Sequence, residues 1–320
     1  MRNRESRLLP RHNRVRDRRR RPGLELQPLD QQRCPPVCLF RWSPPEALPT
    51  VAMSLAGPVA TATLSGARLE SGNWLSGDFN ELVHRPSHCK PFHMSFGSST
   101  NHSDFETSFA PLNAPHSYEL SAKGLNLFLD KPGGKVLTKD HINSKVAEGS
   151  TFNSTFTVLY GKVTYNFSGP AVPGVITAAI LIAQTRDEID IELIGGRPTQ
   201  WQTNIFAPAP SETKPLYKTF SSLQDYPHGP KTVQGMHSYT IDWSPERIVW
   251  SVDGSEVRIL RAGETEKNGT FHYPSHPSRL QFGIWDASAP AGTCEWARGP
   301  IDWESASRRM FEGIEVECPH

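Results

Sequence analysis

The chain has 320 residues, of which 37% are apolar and 21% are charged, and its formal net charge is +1. This length allows one folded domain of about 200 to 250 residues together with an extension, and the composition excludes a core that spans the whole chain. The apolar stretch at residues 48–67 contains Pro49 and Pro58 and is too short and polar for a membrane span, so no transmembrane segment is expected.

The amino-terminal segment is strongly basic. Ten Arg residues and two acidic residues occur in the first 22 positions, and proline then recurs from Pro22 to about Pro58. Because this segment has no sustained apolar period, residues 1–95 are expected to form a largely disordered Arg- and Pro-rich extension. The Arg run lacks interleaved aromatic residues and a folded nucleic-acid motif, so no nucleic-acid partner is expected.

The remaining sequence gives mixed indications of the cellular compartment. No apolar segment follows the Arg run promptly, so there is no convincing signal peptide. Five cysteines show no metal-binding spacing, and neither a metal ion nor a cofactor is expected. A disulfide between Cys294 and Cys318 and free thiols at these positions are both compatible with the sequence. N-glycosylation acceptor triplets, which are typical of extracellular proteins, begin at Asn101, Asn153, Asn166 and Asn268.

From about Asp104 onward, short strand-like runs alternate with turn residues, which is typical of an all-β sandwich or barrel. The folded domain is therefore assigned to residues 96–320. Val175–Ala183 is a continuous apolar run, as expected for a strand buried between two sheets. Turns at residues 244–247 and at Asp253-Gly254 divide residues 237–260 into three antiparallel strands. Further strand-like segments lie at Phe152–Phe167, Gln202–Phe206, Leu280–Trp285 and Phe311–Cys318.

One predicted strand, TRDEIDIELIGG at residues 185–196, alternates acidic and apolar side chains. Because successive side chains of a strand point to opposite faces, one face carries isoleucine and leucine, and the other carries Glu188, Asp190 and Glu192. Three like charges in a row repel one another, so folding alone does not favour them. The pattern fits either a solvated strand face or a catalytic group of carboxylates.

Carboxylates in this arrangement suit the cleavage of glycosidic bonds with retention of configuration. That reaction uses two carboxyl groups roughly 5 to 5.5 Å apart, one as nucleophile and one as acid and then base. In a flat strand the Cα atoms of Glu188 and Glu192 lie about 13 Å apart, so their side chains must lean together across a curved sheet. Asp190 is placed to hydrogen-bond Glu188, and the neighbouring negative charge raises the proton affinity of Glu192.

The E-x-D-x-E strand in DEIDIELIGG, followed by the strand QTNIF, resembles the catalytic signature of glycoside hydrolase family 16. The motif LYGKV before this strand and the motifs YTIDW, WSVDG and GTCEWARGPIDW after it occur in an order that resembles the fungal Crh group, cell-wall transglycosylases that transfer chitin chains onto β-glucans. The resemblance covers about Asp104 to Cys318. It implies a β-jelly-roll sandwich of two curved antiparallel sheets with a concave substrate cleft.

The resemblance also implies roles for individual residues. Glu188 is expected to be the nucleophile, Asp190 the supporting carboxylate and Glu192 the acid/base. Gln202 and Asn204 are expected to hydrogen-bond sugar hydroxyls, with cross-strand polar pairing as the alternative. The remaining expected substrate contacts are the stacking platforms Trp285 and Trp296 and the cleft residues Tyr160 and Arg186, whereas Trp243 and Trp250 are assigned to the core.

The sequence thus predicts a retaining enzyme that cleaves chitin or β-glucan and transfers the product to a glucan acceptor or to water. A hydrolytic endo-β-1,3(4)-glucanase is the first alternative, and a non-catalytic lectin-like sugar-binding module is the second. The polysaccharide is the expected partner of a monomer. An extracellular or cell-wall location is expected from the resemblance and from the acceptor triplets.

Overall fold

A computed structural model of the protein describes residues 89–97, 102–112, 117–209, 211–212, 216–303 and 309–318. Strands dominate these residues, and the helices are short. The helical segments are α1 (His102–Ser108), α2 (Ala291–Trp296) and a 3₁₀ turn at Ala262–Thr265. None of the helices in the described residues is long and apolar enough to cross a membrane.

In chain order, the strands of the described residues are β1 (Phe92–Ser95), β2 (Phe109–Pro111), β3 (Tyr118–Ser121), β4 (Gly124–Leu127), β5 (Leu129–Asp130), β6 (Thr138–Lys139), β7 (Ile142–Asn143), β8 (Glu148–Gly149), β9 (Thr151–Ser154), β10 (Gly161–Phe167), β11 (Val175–Ala183), β12 (Glu188–Ile194), β13 (Gln200–Phe206), β14 (Ser222–Asp225), β15 (His237–Trp243), β16 (Arg247–Val252), β17 (Ser255–Arg261), β18 (Glu266–Lys267), β19 (Thr270–Phe271), β20 (Ser278–Asp286) and β21 (Arg309–Glu317).

Most of these strands form two antiparallel sheets. Within the described residues, one sheet has eight strands in the order β17-β16-β15-β10-β21-β4-β3, with β1 also paired to β21. The other has seven strands in the order β14-β13-β12-β11-β20-β9-β2. Short two-stranded pairs are formed by β5 with β8, β6 with β7 and β18 with β19. The predicted all-β sandwich of two antiparallel sheets is confirmed.

The centre of the seven-stranded sheet follows from the apolar character of β11. Its sequence, VITAAILIA, is buried along almost its whole length, and it lies between β12 and β20. Its bounds, Val175–Ala183, are those predicted from the sequence. Because β11 pairs with β12 along its length, it places Ala178 beside Glu192 and Ile180 beside Asp190.

The core lies between the two sheets. Ile189, Ile191 and Leu193, the apolar face of β12, are at most 1% exposed and belong to this core. Trp243 and Trp250 of the opposite sheet are buried in the same core, as predicted. The acidic residues of β12 therefore point away from the interior, toward the outer side of the seven-stranded sheet.

The first described residues are part of the sandwich. β1 pairs with β21, and a disulfide joins Cys89 to Cys318 just beyond this pair. The expected boundary at residue 95 thus falls at the end of a paired strand, and the rest of the expected extension, residues 1–88, lies outside the described residues. Around Phe109 of β2, the rings of Phe92 and Phe96 pack edge-to-face, and the ring of Phe105 from α1 packs at 34°.

Of the two alternatives left open for Cys294 and Cys318, the disulfide between them is wrong, and the free thiol is correct for Cys294. Cys318 is bonded to Cys89, because the pairing of β1 with β21 brings these two cysteines together. Cys294 is a buried free thiol in α2, and its Sγ donates a hydrogen bond to the backbone oxygen of His141 at 3.0 Å. Spacing along the chain could not reveal a partner that is 229 residues away.

The N-glycosylation triplets occupy different environments. Asn268 is exposed in the turn between β18 and β19, where its φ of 54° is compatible with an Asn-Gly turn. Asn153 and Asn166 lie within strands and are partly buried, and Asn101 lies outside the described residues. Glycosylation of any of them stays a prediction.

Candidate functional site

The three carboxylates of β12 are buried although they face away from the core. Glu188 is 8% exposed, Asp190 2% and Glu192 4%. A solvated strand face would leave these side chains open to water, so the first explanation of the acidic alternation fails. A side chain on the outer side of a sheet becomes this buried only when neighbouring groups rise around it. The carboxylates therefore form the floor of a recess, here called the acidic recess.

The adjacent strand β13 forms one wall of the acidic recess. Gln202 pairs in register with Glu192, and Asn204 pairs with Asp190. Both amides are more than nine-tenths buried. On the other side of β12, strand β11 contributes the apolar residues Ala178 and Ile180 at the same levels. The carboxylates are thus lined by amides on one side and by hydrocarbon on the other.

Burial changes the proton affinities of Glu188 and Asp190. Burial is the largest cause that raises the pKa of Glu188 from 4.5 to about 7, and the charge of Glu192 adds to this effect. Burial also raises the pKa of Asp190 well above its ordinary value, and the charge of Glu188 contributes. The hydrogen bond between the two lowers the pKa of Glu188 and raises that of Asp190. The proton between them therefore lies on Asp190, which donates a hydrogen bond to the Glu188 carboxylate.

Glu192 has a different hydrogen-bond environment. The Gln202 amide nitrogen Nε2 donates to Oε2 of Glu192 at 2.8 Å. The indole nitrogen of Trp296 in turn donates to the Gln202 oxygen Oε1 at 3.0 Å. Trp296 stacks on Trp285, with ring centroids 5.9 Å apart and planes at 16°. The two predicted aromatic platforms therefore lie together beside the Glu192 end of the recess.

The glycine pair after β12 allows the chain that carries Trp296 to come close. A Cβ atom on Gly196 would lie 2.5 Å from the backbone oxygen of Ala297, the residue that follows α2. Any larger residue at position 196 would push this segment outward. Gly196 thus fixes how near Trp296 lies to β12, which explains the second glycine of the pair, whereas a Cβ on Gly195 would meet the backbone of Val172.

Two of the expected cleft residues lie elsewhere. Tyr160 is 1% exposed and packs edge-on against Trp243 in the core, with ring centroids 4.9 Å apart. Its φ of 60° turns the chain just before β10 and directs the ring inward, which the sequence does not reveal. Arg186 is exposed in the turn before β12, and its guanidinium donates to the backbone oxygen of Glu212 at 2.9 Å. The recess wall is thus made without Tyr160.

Sequence reasoning missed a group that anchors the start of β12. The buried Asp187 Oδ2 accepts hydrogen bonds from the backbone nitrogens of Ser275 at 2.6 Å and of His276 at 3.1 Å. It also bonds the His276 ring nitrogen Nδ1 at 2.8 Å. Asp187 breaks the alternation, since it precedes Glu188 directly and so points to the other side. This additional acidic residue next to the alternating pattern was the sequence signal that could have revealed the anchor.

Two oxygen atoms in the acidic recess have no hydrogen bond within the described part of the chain. They are Oδ1 of Asp190 and Oδ1 of Asn204. A buried acceptor without a partner costs free energy, and such exceptions in a folded protein call for an explanation. Both atoms are closed off from solvent, so they lie below the surface of the recess.

Comparison with known proteins agrees with this geometry. The sequence profile of Glycosyl hydrolases family 16 matches residues 101–305. Crh-like protein 2 of Aspergillus fumigatus is 35% identical over 193 residues, which are 54% of this chain and 41% of that protein. Probable glycosidase CRR1 of Saccharomyces cerevisiae is 34% identical over 174 residues, 53% of this chain and 40% of that protein.

A solved structure described as Crh5 transglycosylase in complex with NAG superposes with a TM-score of 0.56. It is 24% identical in sequence, and the match covers 74% of this chain and 88% of that one. This likeness shows the same fold. The chain spans about two fifths of the length of the two curated relatives that it matches.

Proposed function

Because the chain belongs to family 16 of the glycosyl hydrolases, we propose that it is a retaining β-glycan enzyme that works through a glycosyl-enzyme intermediate. Glu188 is the nucleophile, Glu192 is the acid/base, and Asp190 supports Glu188. The observation that carries the proposal is the row of three carboxylates buried on the outer side of the sheet, away from the core. Such burial is costly to stability and has no structural purpose in the sandwich.

In the first step a carboxylate oxygen of Glu188 attacks the anomeric carbon. The bond from that carbon to the glycosidic oxygen breaks, and Glu192 gives its proton to the departing oxygen. Asp190 donates a hydrogen bond to Glu188, which orients the nucleophile and lowers its pKa against the effect of burial. The product of this step is a glycosyl ester on Glu188.

In the second step Glu192, now a carboxylate, removes a proton from an incoming hydroxyl group. The oxygen of that hydroxyl attacks the anomeric carbon, and the ester bond to Glu188 breaks. Water as the acceptor gives hydrolysis, whereas a sugar hydroxyl gives transglycosylation. Water and a sugar hydroxyl use the same carboxylates. Which of them reacts therefore depends on how tightly the acceptor-binding part of the cleft holds a sugar.

The other recess residues are assigned to sugar binding. Asn204, which lies beside Asp190 in the register of β12 and β13, is assigned a hydrogen bond to a sugar hydroxyl. Trp285 and Trp296 offer the apolar faces on which pyranose rings pack. A ring that stacks on this pair would lie next to Glu192, since Trp296 is joined to Glu192 through Gln202.

The proposed donor is chitin, and the proposed acceptor is a β-glucan. Support for the donor comes from the similar Crh5 transglycosylase, whose structure holds NAG, the monosaccharide unit of chitin. We place the enzyme outside the cell or in the cell wall, acting as a monomer on the polysaccharide. The disulfide between Cys89 and Cys318 agrees with an oxidising compartment.

A purely hydrolytic enzyme is the second candidate. It is favoured by the similarity to a relative described as a probable glycosidase. The catalytic carboxylates would be the same, and the difference would lie in the acceptor.

The test uses the full-length chain with chitin oligosaccharides, with and without a fluorescent β-1,3-glucan oligosaccharide. Labelled products longer than the acceptor are expected from the native protein and not from Glu188→Gln, since the amide cannot act as nucleophile. The matched control is Glu256→Gln, which alters an exposed glutamate of β17 and should retain activity.

Shorter unlabelled fragments without any elongated product would favour the hydrolase. If neither chitin nor β-glucan donors gave any product, the enzymatic proposal would fail and sugar binding without cleavage would replace it. Full activity in Glu188→Gln would overturn the assignment of the nucleophile.

A further inference from the structure

The chain of hydrogen bonds from Trp296 through Gln202 to Glu192 fixes which atom faces which. An indole N–H is a donor and never an acceptor, so it must face the oxygen of the Gln202 amide. The other end of the amide, its NH₂ group, then faces Glu192. The short distances of 3.0 Å and 2.8 Å agree with this orientation. Trp296 thereby excludes the flipped amide, in which two donors would face each other.

Burial, strand register and ring packing hold these hydrogen-bonded side chains in place. Gln202 is 8% exposed and lies opposite Glu192 in the register of β12 and β13. Trp296 ends α2, is partly buried and stacks on Trp285. The missing Cβ of Gly196 lets the chain after α2 approach β12. The amide is therefore oriented by a residue that is itself fixed by packing.

The orientation has a consequence for the proton of Glu192. An amide NH₂ group cannot accept a proton, so Glu192 Oε2 is bound as an acceptor. In a carboxylic acid the carbonyl oxygen is a better acceptor than the hydroxyl oxygen, so the hydrogen bond from Gln202 to Oε2 favours a proton on the other oxygen, Oε1. We propose that Trp296 and Gln202 are positioning residues that hold the proton of Glu192 on Oε1, from which it is transferred to the glycosidic oxygen. This inference rests on the proposed function, because it assigns Glu192 as the acid/base.

Both chemical steps then use the same oxygen. In the first, the proton leaves Oε1 for the departing glycosidic oxygen, while Oε2 keeps its hydrogen bond from Gln202. In the second, Oε1 takes the proton of the incoming hydroxyl. Since the amide stays bound to Oε2 in both states, the carboxyl group does not have to rotate between the steps.

On its own strand, the ionisable groups on the same face as Glu192 are Glu188 and Asp190. Asp225 of β14 and Arg279 of β20 lie on the same face of the sheet, each two strands away from β12. Its register partners on the two neighbouring strands, Ala178 and Gln202, do not ionise. Glu295 and Arg298 flank the Trp296 segment and are exposed. The donated hydrogen bond from Gln202 stabilises the charged form of Glu192, and its loss should move the titration of Glu192 to higher pH.

The first measurement is a titration that does not need turnover. Full-length protein labelled with ¹³C at the glutamate carboxyl carbon is followed by NMR across pH, and the Glu192 signal is assigned by its loss in Glu192→Gln. Gln202→Met keeps a side chain of similar length without a donor, and it should raise the Glu192 midpoint. Trp296→Phe keeps the aromatic ring without the N–H, and it should raise the midpoint less, because the freed amide still contacts Glu192 part of the time.

Trp285→Phe is the matched control, since it shortens the other ring of the stack and leaves both hydrogen bonds in place. It should not move the Glu192 midpoint. In the double variant Gln202→Met/Trp296→Phe, the shift should equal that of Gln202→Met alone, because no amide remains to be oriented. An unchanged midpoint in Gln202→Met, or equal shifts in the two Trp variants, would overturn the proposal.

The second measurement separates positioning from sugar binding in the active enzyme. If Gln202 acts through Glu192, Gln202→Met should lower kcat about tenfold, as expected for one lost hydrogen bond to a charged group, and leave KM nearly unchanged. A raised KM with an unchanged kcat would instead mean that Gln202 contacts the sugar. If the native protein shows no activity, the proposed function fails, and the NMR midpoints still decide whether the hydrogen bonds act on Glu192.

Discussion

Glu188 is a carboxyl group that is 8% exposed, and burial raises its pKa from the ordinary 4.5 to about 7. Below pH 4.5 the group is protonated in both the folded and the unfolded chain. Between pH 4.5 and about 7, the unfolded chain releases this proton while the folded chain retains it. The free energy of unfolding therefore falls as the pH rises through this window.

We expect Glu188→Gln to remove this loss, because an amide has the same shape and does not ionise. At pH 8 the variant should be more stable than the native protein by at most about 3 kcal/mol, the value that corresponds to the raised pKa. At pH 4 the two should be equally stable. Urea unfolding at both pH values measures the difference.

Glu256→Gln serves as the control, since this exposed side chain should leave the free energy of unfolding unchanged at either pH. A loss of stability in Glu188→Gln at pH 8 would contradict the expectation. It would mean that the hydrogen bond from Asp190 to ionised Glu188 stabilises the fold, and that the buried charge is not a cost tolerated for catalysis.

Strand β12 is held at its start by Asp187, which accepts three hydrogen bonds from Ser275 and His276 in the segment before β20. Asp187→Ala should destabilise the protein by about 2 to 4 kcal/mol, because the buried backbone N–H groups lose their acceptor. It should also lower kcat, since Glu188 is the next residue along the strand. Urea unfolding and steady-state kinetics measure the two effects.

Two further variants test whether the loss of stability comes from the hydrogen bonds of Asp187. Asp187→Asn keeps an acceptor oxygen for the backbone nitrogens and should cost less than Asp187→Ala. Thr185→Ala removes only the long contact of 3.3 Å from Thr185 Oγ1 to Asp187 Oδ1 and should stay within about 0.5 kcal/mol of the native protein. Equal losses in Thr185→Ala and Asp187→Ala would show that the turn, and not the anchor, is responsible.

Among the elements, the long strands were predictable because their patterns are local. β11 is a continuous apolar run and β12 alternates strictly, so both could be located from the sequence. Helix α2 has only six residues and β1 only four, too few for either period to be visible. These short elements form because of their tertiary contacts. The orientation of Tyr160 was missed for the same reason, since a single positive φ directs its ring into the core.

In the functional site too, some features could be predicted from local patterns and others depend on tertiary contacts. The carboxylates of β12 could be predicted because their spacing along one strand already places them on one face. The pairing of Gln202 with Glu192 depends on the register of β12 and β13, and the contact of Trp296 depends on α2 folding back over 94 residues. Local patterns do not show either contact. The sequence offered cross-strand pairing of Gln202 only as an alternative and could not predict its hydrogen bond from Trp296.

The disulfide between Cys89 and Cys318 links the first described strand to the end of β21, which lies between β10 and β4 in the eight-stranded sheet. The closed loop covers a sequence separation of 229 residues. A crosslink over so long a loop restricts the unfolded chain strongly, and its removal costs about 5 kcal/mol at most. For a domain of this size, such a loss corresponds to a decrease in Tm of about 10 °C.

We therefore expect Cys89→Ser/Cys318→Ser to unfold about 10 °C below the native protein. Dithiothreitol should lower the Tm of the native protein similarly and leave that of the double variant unchanged. Cys294→Ser keeps a donor for the backbone oxygen of His141 and should change Tm little, because this thiol is outside the crosslink. If Cys294→Ser removed the sensitivity to dithiothreitol, the crosslink would involve Cys294 after all. Equal Tm values for the double variant and the native protein would mean that the pairing of β1 with β21 holds the ends together without it.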